Sequence, residues 1–103
     1  MTRRVQTEPE ASSELLEAAL WYEEQRHGLG AEFLAAVDAA LEFIARFAKA
    51  GEPVPEVPEE IQARRVPVRR FPFYVIYLEF PEVIRVLAVA HYRRSPDHWR
   101  SRT

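Results

Sequence analysis

The period of the apolar positions changes along this chain of 103 residues. Leu15, Ala18, Ala19 and Tyr22 fall at i, i+3, i+4 and i+7, a single helical stripe, while Glu14, Glu17, Glu24 and Gln25 lie off it. Thr7-Glu8-Pro9-Glu10 supplies a start for that helix. Thr7 is the expected capping residue, Pro9 suits the first turn, and Glu10 sits at the capping-box offset. Gly28-Leu29-Gly30 breaks the pattern. A second helix is predicted over 31–50, burying Phe33, Val37, Ala40, Leu41, Ile44 and Phe47, with Gly51 as its left-handed terminator. Two helices joined by so short a loop form an antiparallel hairpin.

Beyond residue 51 the punctuation is proline. Pro53, Pro55 and Pro58 among acidic residues predict an extended linker over 52–60. Residues 62–68 fit a strand that Pro67 confines to an edge or a bulge. Turns at Phe71-Pro72 and Phe80-Pro81-Glu82 introduce two apolar runs, 73–78 and 83–90, which fit buried strands. A short strand at 3–6 and a C-terminal turn or helix around 96–102 complete the order β-α-α-β-β-β. The expected fold is α+β, one domain over 1–103, with the helical hairpin packed on one face of a small twisted antiparallel sheet. Strand parity sorts the side chains of the last run. Ile84, Val86, Ala88 and Ala90 share one face; Val83, Arg85, Leu87, Val89 and His91 share the other. With Arg65 and Arg69 opposed to Val66 and Val68, parity predicts Arg65, Arg69, Arg85 and His91 together on the uncovered face.

Charge sharpens this picture. Residues 1–60 carry 5 Lys/Arg against 13 Asp/Glu, whereas 61–103 carry 9 Arg against 3 acids. A basic half on an acidic domain points to a distinct partner for the basic face. There are no cysteines, and the three histidines have no ligand spacing, so neither a metal nor another cofactor is expected. No run approaches the length of a membrane span, and the N-terminus lacks the apolar stretch of a secretory signal, so a cytoplasmic protein with no membrane partner is expected. Trp21 and Tyr22 are adjacent on a helix and cannot share a face; one belongs to the core and the other either serves a partner or packs under the sheet edge.

These pieces resemble the RelE/ParE superfamily, the toxins of type II toxin–antitoxin pairs. The resemblance rests on Ala18, Trp21-Tyr22-Glu23, Gly28-Leu29-Gly30 with Glu32-Phe33, Phe71-Pro72-Phe73-Tyr74-Val75-Ile76-Tyr77, Val86-Leu87-Ala88-Val89-Ala90-His91-Tyr92-Arg93-Arg94, Pro96 and Trp99. It implies a growth inhibitor neutralised by a cognate antitoxin, whose tail orders on the toxin and is acidic where it meets the arginines. It also implies one of two targets. RelE-like members cleave mRNA on the ribosome without a metal; for that chemistry the candidate catalytic residues are His91, Arg65 and Arg94, with an acid/base group and cations around the scissile phosphate. ParE-like members act on DNA gyrase; the candidate target- or antitoxin-binding residues are then Arg69, Arg85, Arg93 and Trp99. Tyr74 stands about where the nucleases carry an Arg, and His98-Trp99 about where they carry a C-terminal Tyr. The resemblance therefore favours the gyrase branch, with an mRNA endonuclease or a non-toxic partner-binding member as the alternatives.

Overall fold

A computed structural model describes residues 2–58 and 60–103; Glu59, within the expected linker, lies outside the described residues. The elements follow the expected order, with one small addition. They are β1 (Arg4–Thr7), α1 (Pro9–Gln25), α2 (Leu29–Arg46), β2 (Glu52–Pro53), β3 (Ala63–Pro67), β4 (Phe73–Glu79), β5 (Val83–His91) and α3 (Asp97–Arg100). The addition is β2: the proline-rich segment begins with a two-residue strand.

The start of α1 differs from expectation. Glu8, not Thr7, is the N-cap, Pro9 follows it, and no side chain caps the helix. Thr7 is held in the sheet instead, paired with Val86, so its side chain is not placed to serve the helix. Between the helices, Gly28 adopts φ +89°, a left-handed conformation that costs glycine little. The carboxylate of Glu23 turns back and accepts the N–H groups of Gly28 and Gly30, each at 3.1 Å. It thereby satisfies donors at the start of α2 that the helix itself leaves open. The helix α2 ends at Arg46, four residues short of the predicted end, and Phe47 departs from helical geometry and is exposed. Gly51 is consequently not the terminator. It is buried against Tyr77, for a reason of space rather than of φ.

The sheet has the order β1-β5-β4-β3-β2. Neighbours are antiparallel except β1, which runs parallel to β5. The expectation of a wholly antiparallel sheet holds for the late strands, where short turns enforce it. The first strand reaches the free edge of β5 only after the whole intervening chain, a separation that permits parallel pairing.

Both faces of the sheet are covered. On one, Ala11, Ala19, Phe33, Val37 and Ile44 from the helical hairpin meet Val66, Val75, Tyr77, Ile84, Val86 and Val89. Tyr22 joins them, its ring centroid 5.1 Å from that of Phe33 and 4.9 Å from that of Phe71. On the other face, Trp99 of α3 and Val54 pack on Ile76, Leu87, Ala88 and Ala90. Among the described residues, no helix is long and apolar enough to cross a membrane.

Strand parity fails at one point. Ile76 pairs with Ala88 but Tyr77 pairs with Val86, leaving Leu87 as an extra residue in β5. This β-bulge inverts the facing of everything beyond it. Ile84 and Val86 face the helices before the bulge; Val89 does so after it, and Leu87, Ala88 and Ala90 face away.

Among the described residues, three carboxyl groups are held below the ordinary value of 4.5. Glu23 is lowered by the backbone N–H groups of Gly28 and Gly30, Glu32 by Arg26, and Glu79 by Arg3. In each case the folded state binds its proton less readily than the unfolded chain. Their contribution to stability is therefore complete above pH 4.5 and is lost as the pH falls through the lowered values. A thermal melt series should be flat towards neutrality and fall below that point. Glu23→Gln should lower the melting temperature at pH 7 and make the acid fall shallower; an unchanged acid limb would count against the helix-junction role of Glu23.

Candidate functional site

The turn between β3 and β4 and the end of β5 lie side by side, since Phe73 pairs with His91 and the N–H of Tyr92 donates to the carbonyl of Pro72. Here the structure assembles part of what parity predicts. Arg65 projects from β3 on the face away from the helices, its guanidinium carbon 4.1 Å from the centre of the Tyr74 ring. Tyr74 in turn lies 4.5 Å, centroid to centroid, from Tyr92, which is 48% exposed. The Nε–H of Arg65 donates to Glu52 at 2.5 Å. Arg69 stands beside them without an ion pair among the described residues. Together with Phe43 of α2, these side chains line an open groove of about 800 Å³. A stacked Arg–Tyr–Tyr array with an unpaired guanidinium is a surface of the kind that anchors a macromolecular contact.

The other predicted residues lie elsewhere. The bulge turns His91 to the helix side, where its ring packs 5.4 Å from Phe73 and its Nδ1 accepts the N–H of Arg93 at 3.1 Å. The expected grouping of His91 with Arg65 therefore does not occur. Arg94 borders a depression with Glu14, Glu17, His91 and His98, so it shares a surface with His91 and not with Arg65. Arg93 is exposed in the turn that follows β5. Arg85 keeps the expected face but is engaged internally. Its Nε–H donates to Glu8 and its Nη2–H to the carbonyl of Arg102 at 2.7 Å. Trp99, expected as a contact residue, is 1% exposed and is the main cover of the second sheet face. Four residues of α3 cannot hold themselves on the sheet, so the indole does it.

One residue that matters has, in sequence, the look of a solvated helix face. Glu14 accepts the N–H of Val89 at 3.1 Å, Nη1–H and Nη2–H of Arg102 at 3.0 and 3.2 Å, and Nε2–H of His98 at 3.1 Å. Arg102 also donates to the carbonyl of Leu87 at 2.9 Å. Together Glu14 and Arg102 satisfy the backbone groups that the edge of β5 leaves open around the bulge. The only sequence signal is the position of Glu14 on α1 beside the apolar stripe.

Chemically, this arrangement offers cations and aromatic faces in one groove and an imidazole on another surface. Among the described residues, the groove itself combines guanidinium and aromatic groups, a set that suits a binding contact. A family model described as the ParE toxin of the type II toxin–antitoxin system parDE matches residues 5–96. The chain belongs to this family and is a toxin component of a type II toxin–antitoxin pair, which implies a cognate antitoxin as its partner. Among solved structures it is similar to one titled a chromosomal ParDE TA system from P. aeruginosa, with a TM-score of 0.73 and 16% sequence identity over 87% of this chain and 96% of that one. At that identity the likeness speaks for the fold. No curated protein matches the chain significantly.

Proposed function

We propose that this toxin inhibits growth in the cytoplasm by a protein–protein contact with DNA gyrase, made through the groove of Arg65, Arg69, Tyr74 and Tyr92. The observation that carries this reading is the separation of His91 from Arg65 onto opposite sides of the sheet. Metal-independent RNA cleavage needs a base for the 2′-hydroxyl, an acid for the leaving oxygen and cations on the phosphorane within reach of one another. Arg65 has Tyr74 and Glu52 as its neighbours, and His91 has Phe73 and the Arg93 amide. A contact surface makes no such demand. It needs exposed Arg and aromatic anchors, and the groove supplies both.

Supercoiling by purified gyrase, titrated with the chain, tests this. Inhibition at micromolar concentration is expected. Arg69→Ala and Tyr92→Ala should each weaken it by roughly tenfold, an effect of about 1–2 kcal/mol at a contact anchor. His91→Ala should leave it unchanged. Undisturbed supercoiling, together with mRNA cleavage on ribosomes that is lost in Arg65→Ala and His91→Ala, would instead establish the endonuclease reading.

A further inference from the structure

The outer face of α1 carries apolar side chains that nothing among the described residues covers. Leu16, Leu20 and Trp21 are 58%, 66% and 57% exposed. Isolated exposed apolar residues are ordinary, but Leu16 and Leu20, one turn apart, make an apolar ridge, and Trp21 adds an exposed aromatic on the other side of the same outer face. Beside Trp21 the surface opens into a pocket of about 430 Å³ walled by Ala18, Trp21, Tyr22, Pro72, Phe73 and His91. An aromatic-lined hollow of this kind has the shape that receives a large side chain from a docked segment.

The charges on α1 indicate what covers this face. The helix holds Glu10, Glu14, Glu17, Glu23 and Glu24 and no Lys or Arg. Glu14 is engaged with Val89, His98 and Arg102, and Glu23 with the helix junction. Glu10, Glu17 and Glu24 have no ion pair among the described residues. They recur every seven residues, so on a helix they form a nearly straight file, roughly 10 Å from one to the next. Helical geometry places that file between Leu16 and Leu20 on one side and Trp21 on the other.

We propose that a helix of the cognate antitoxin lies along α1, bearing a Lys or Arg every seven residues opposite this file, with apolar side chains against Leu16 and Leu20 and one in the Trp21–Phe73 pocket. The proposal rests on the toxin–antitoxin assignment and adds a second surface, opposite in sign to the arginine groove. A second copy of this chain is a poor occupant, because it would set carboxylates against carboxylates. Cationic flanks also oppose the Glu file without burying an unpaired charge.

The test uses the intact chain and two fluorescein-labelled synthetic helices of 18 residues in about 0.1 M salt, where surface charge still acts over roughly 10 Å. Both peptides have the same leucines; one carries Lys at the heptad positions and the other Glu. The Lys peptide should bind with a micromolar Kd and the Glu peptide at least about tenfold more weakly. Leu20→Ser should weaken the Lys peptide by about tenfold, Glu17→Lys with Glu24→Lys should reverse the preference, and Phe80→Ser, away from α1, should change nothing. Equal binding of the two peptides, or indifference to Leu20→Ser, would overturn the proposal. So would a concentration-dependent dimer that Leu20→Ser abolishes. Gyrase inhibition is measured separately, so inhibition without Lys-peptide binding removes this docking alone, and the reverse removes the target reading alone.

Discussion

Replacing Trp99 with alanine should destabilise the protein by about 3–5 kcal/mol, the usual cost of deleting a fully buried aromatic side chain. In a domain whose total stability is on the order of 5–15 kcal/mol, that is a large share. The reason lies in what the indole covers. Leu87, Ala88 and Ala90 face away from the helical hairpin, and Trp99 closes that side together with Val54. The helix α3 has only four residues and no side-chain cap, so it has little stability of its own. Without the indole, the last turn is left with the Glu14 bonds to His98 and Arg102, the Arg102 bond to the Leu87 carbonyl and the Arg85 bond to the Arg102 carbonyl. Urea unfolding should show a lower midpoint, and hydrogen exchange should show the amide of Val89, bonded to Glu14, losing protection first. Trp99→Phe, which keeps most of the cover, should fall between the two. A Trp99→Ala protein of wild-type stability that has lost only target or antitoxin binding would restore Trp99 as a contact residue.

Gly51→Ala should be nearly as damaging. A Cβ at this position would come within 2.2 Å of Tyr77 Oη and 2.9 Å of Tyr77 Cζ. Tyr77 cannot swing aside, since it is fully buried and its hydroxyl donates to the carbonyl of Ala48 at 2.7 Å. Burial also raises its pKa, so the phenol stays a donor. The methyl group must displace either the ring or the 48–51 turn. Overpacking of this kind costs about 1–3 kcal/mol, and loss of the hydrogen bond adds about 1 kcal/mol. For a domain of this size the melting temperature should fall by more than about 10 °C. A double-mutant cycle checks the cause. Tyr77→Phe should cost about 1 kcal/mol in the wild type and less in the Gly51→Ala background, where the hydroxyl it removes is the nearest obstacle. Additive costs would mean that the clash lies elsewhere.

Much of the architecture is legible in the order of residues. The stripe of Leu15, Ala18, Ala19 and Tyr22, the break at Gly28-Leu29-Gly30 and the two proline-led apolar runs carry their periods in the chain, because helix and strand repeats are properties of local backbone geometry. The division of Trp21 and Tyr22 between surface and core follows from the same geometry and is what the structure has.

The site is only half legible, and the division has a physical cause. Arg65 lies in a strand paired without a register shift, so parity puts it on the correct face, and Arg69 stands in the turn that follows that strand. His91 lies beyond Leu87, where one unopposed residue reverses every later side chain. A β-bulge depends on a partner strand and on groups such as Glu14 and Arg102 that satisfy the backbone it leaves open, and these are 75 and 15 residues away from what they bond. The same distance in sequence hides the roles of Gly51, Trp99 and Arg85, each decided by a residue from another element. By itself, then, the order of residues determined the secondary elements, the layering of a hairpin on a sheet and the family of the protein. Which arginines stay free, which aromatic is buried and which side the histidine takes were decided only when remote segments packed, because those outcomes depend on contacts that no local period encodes.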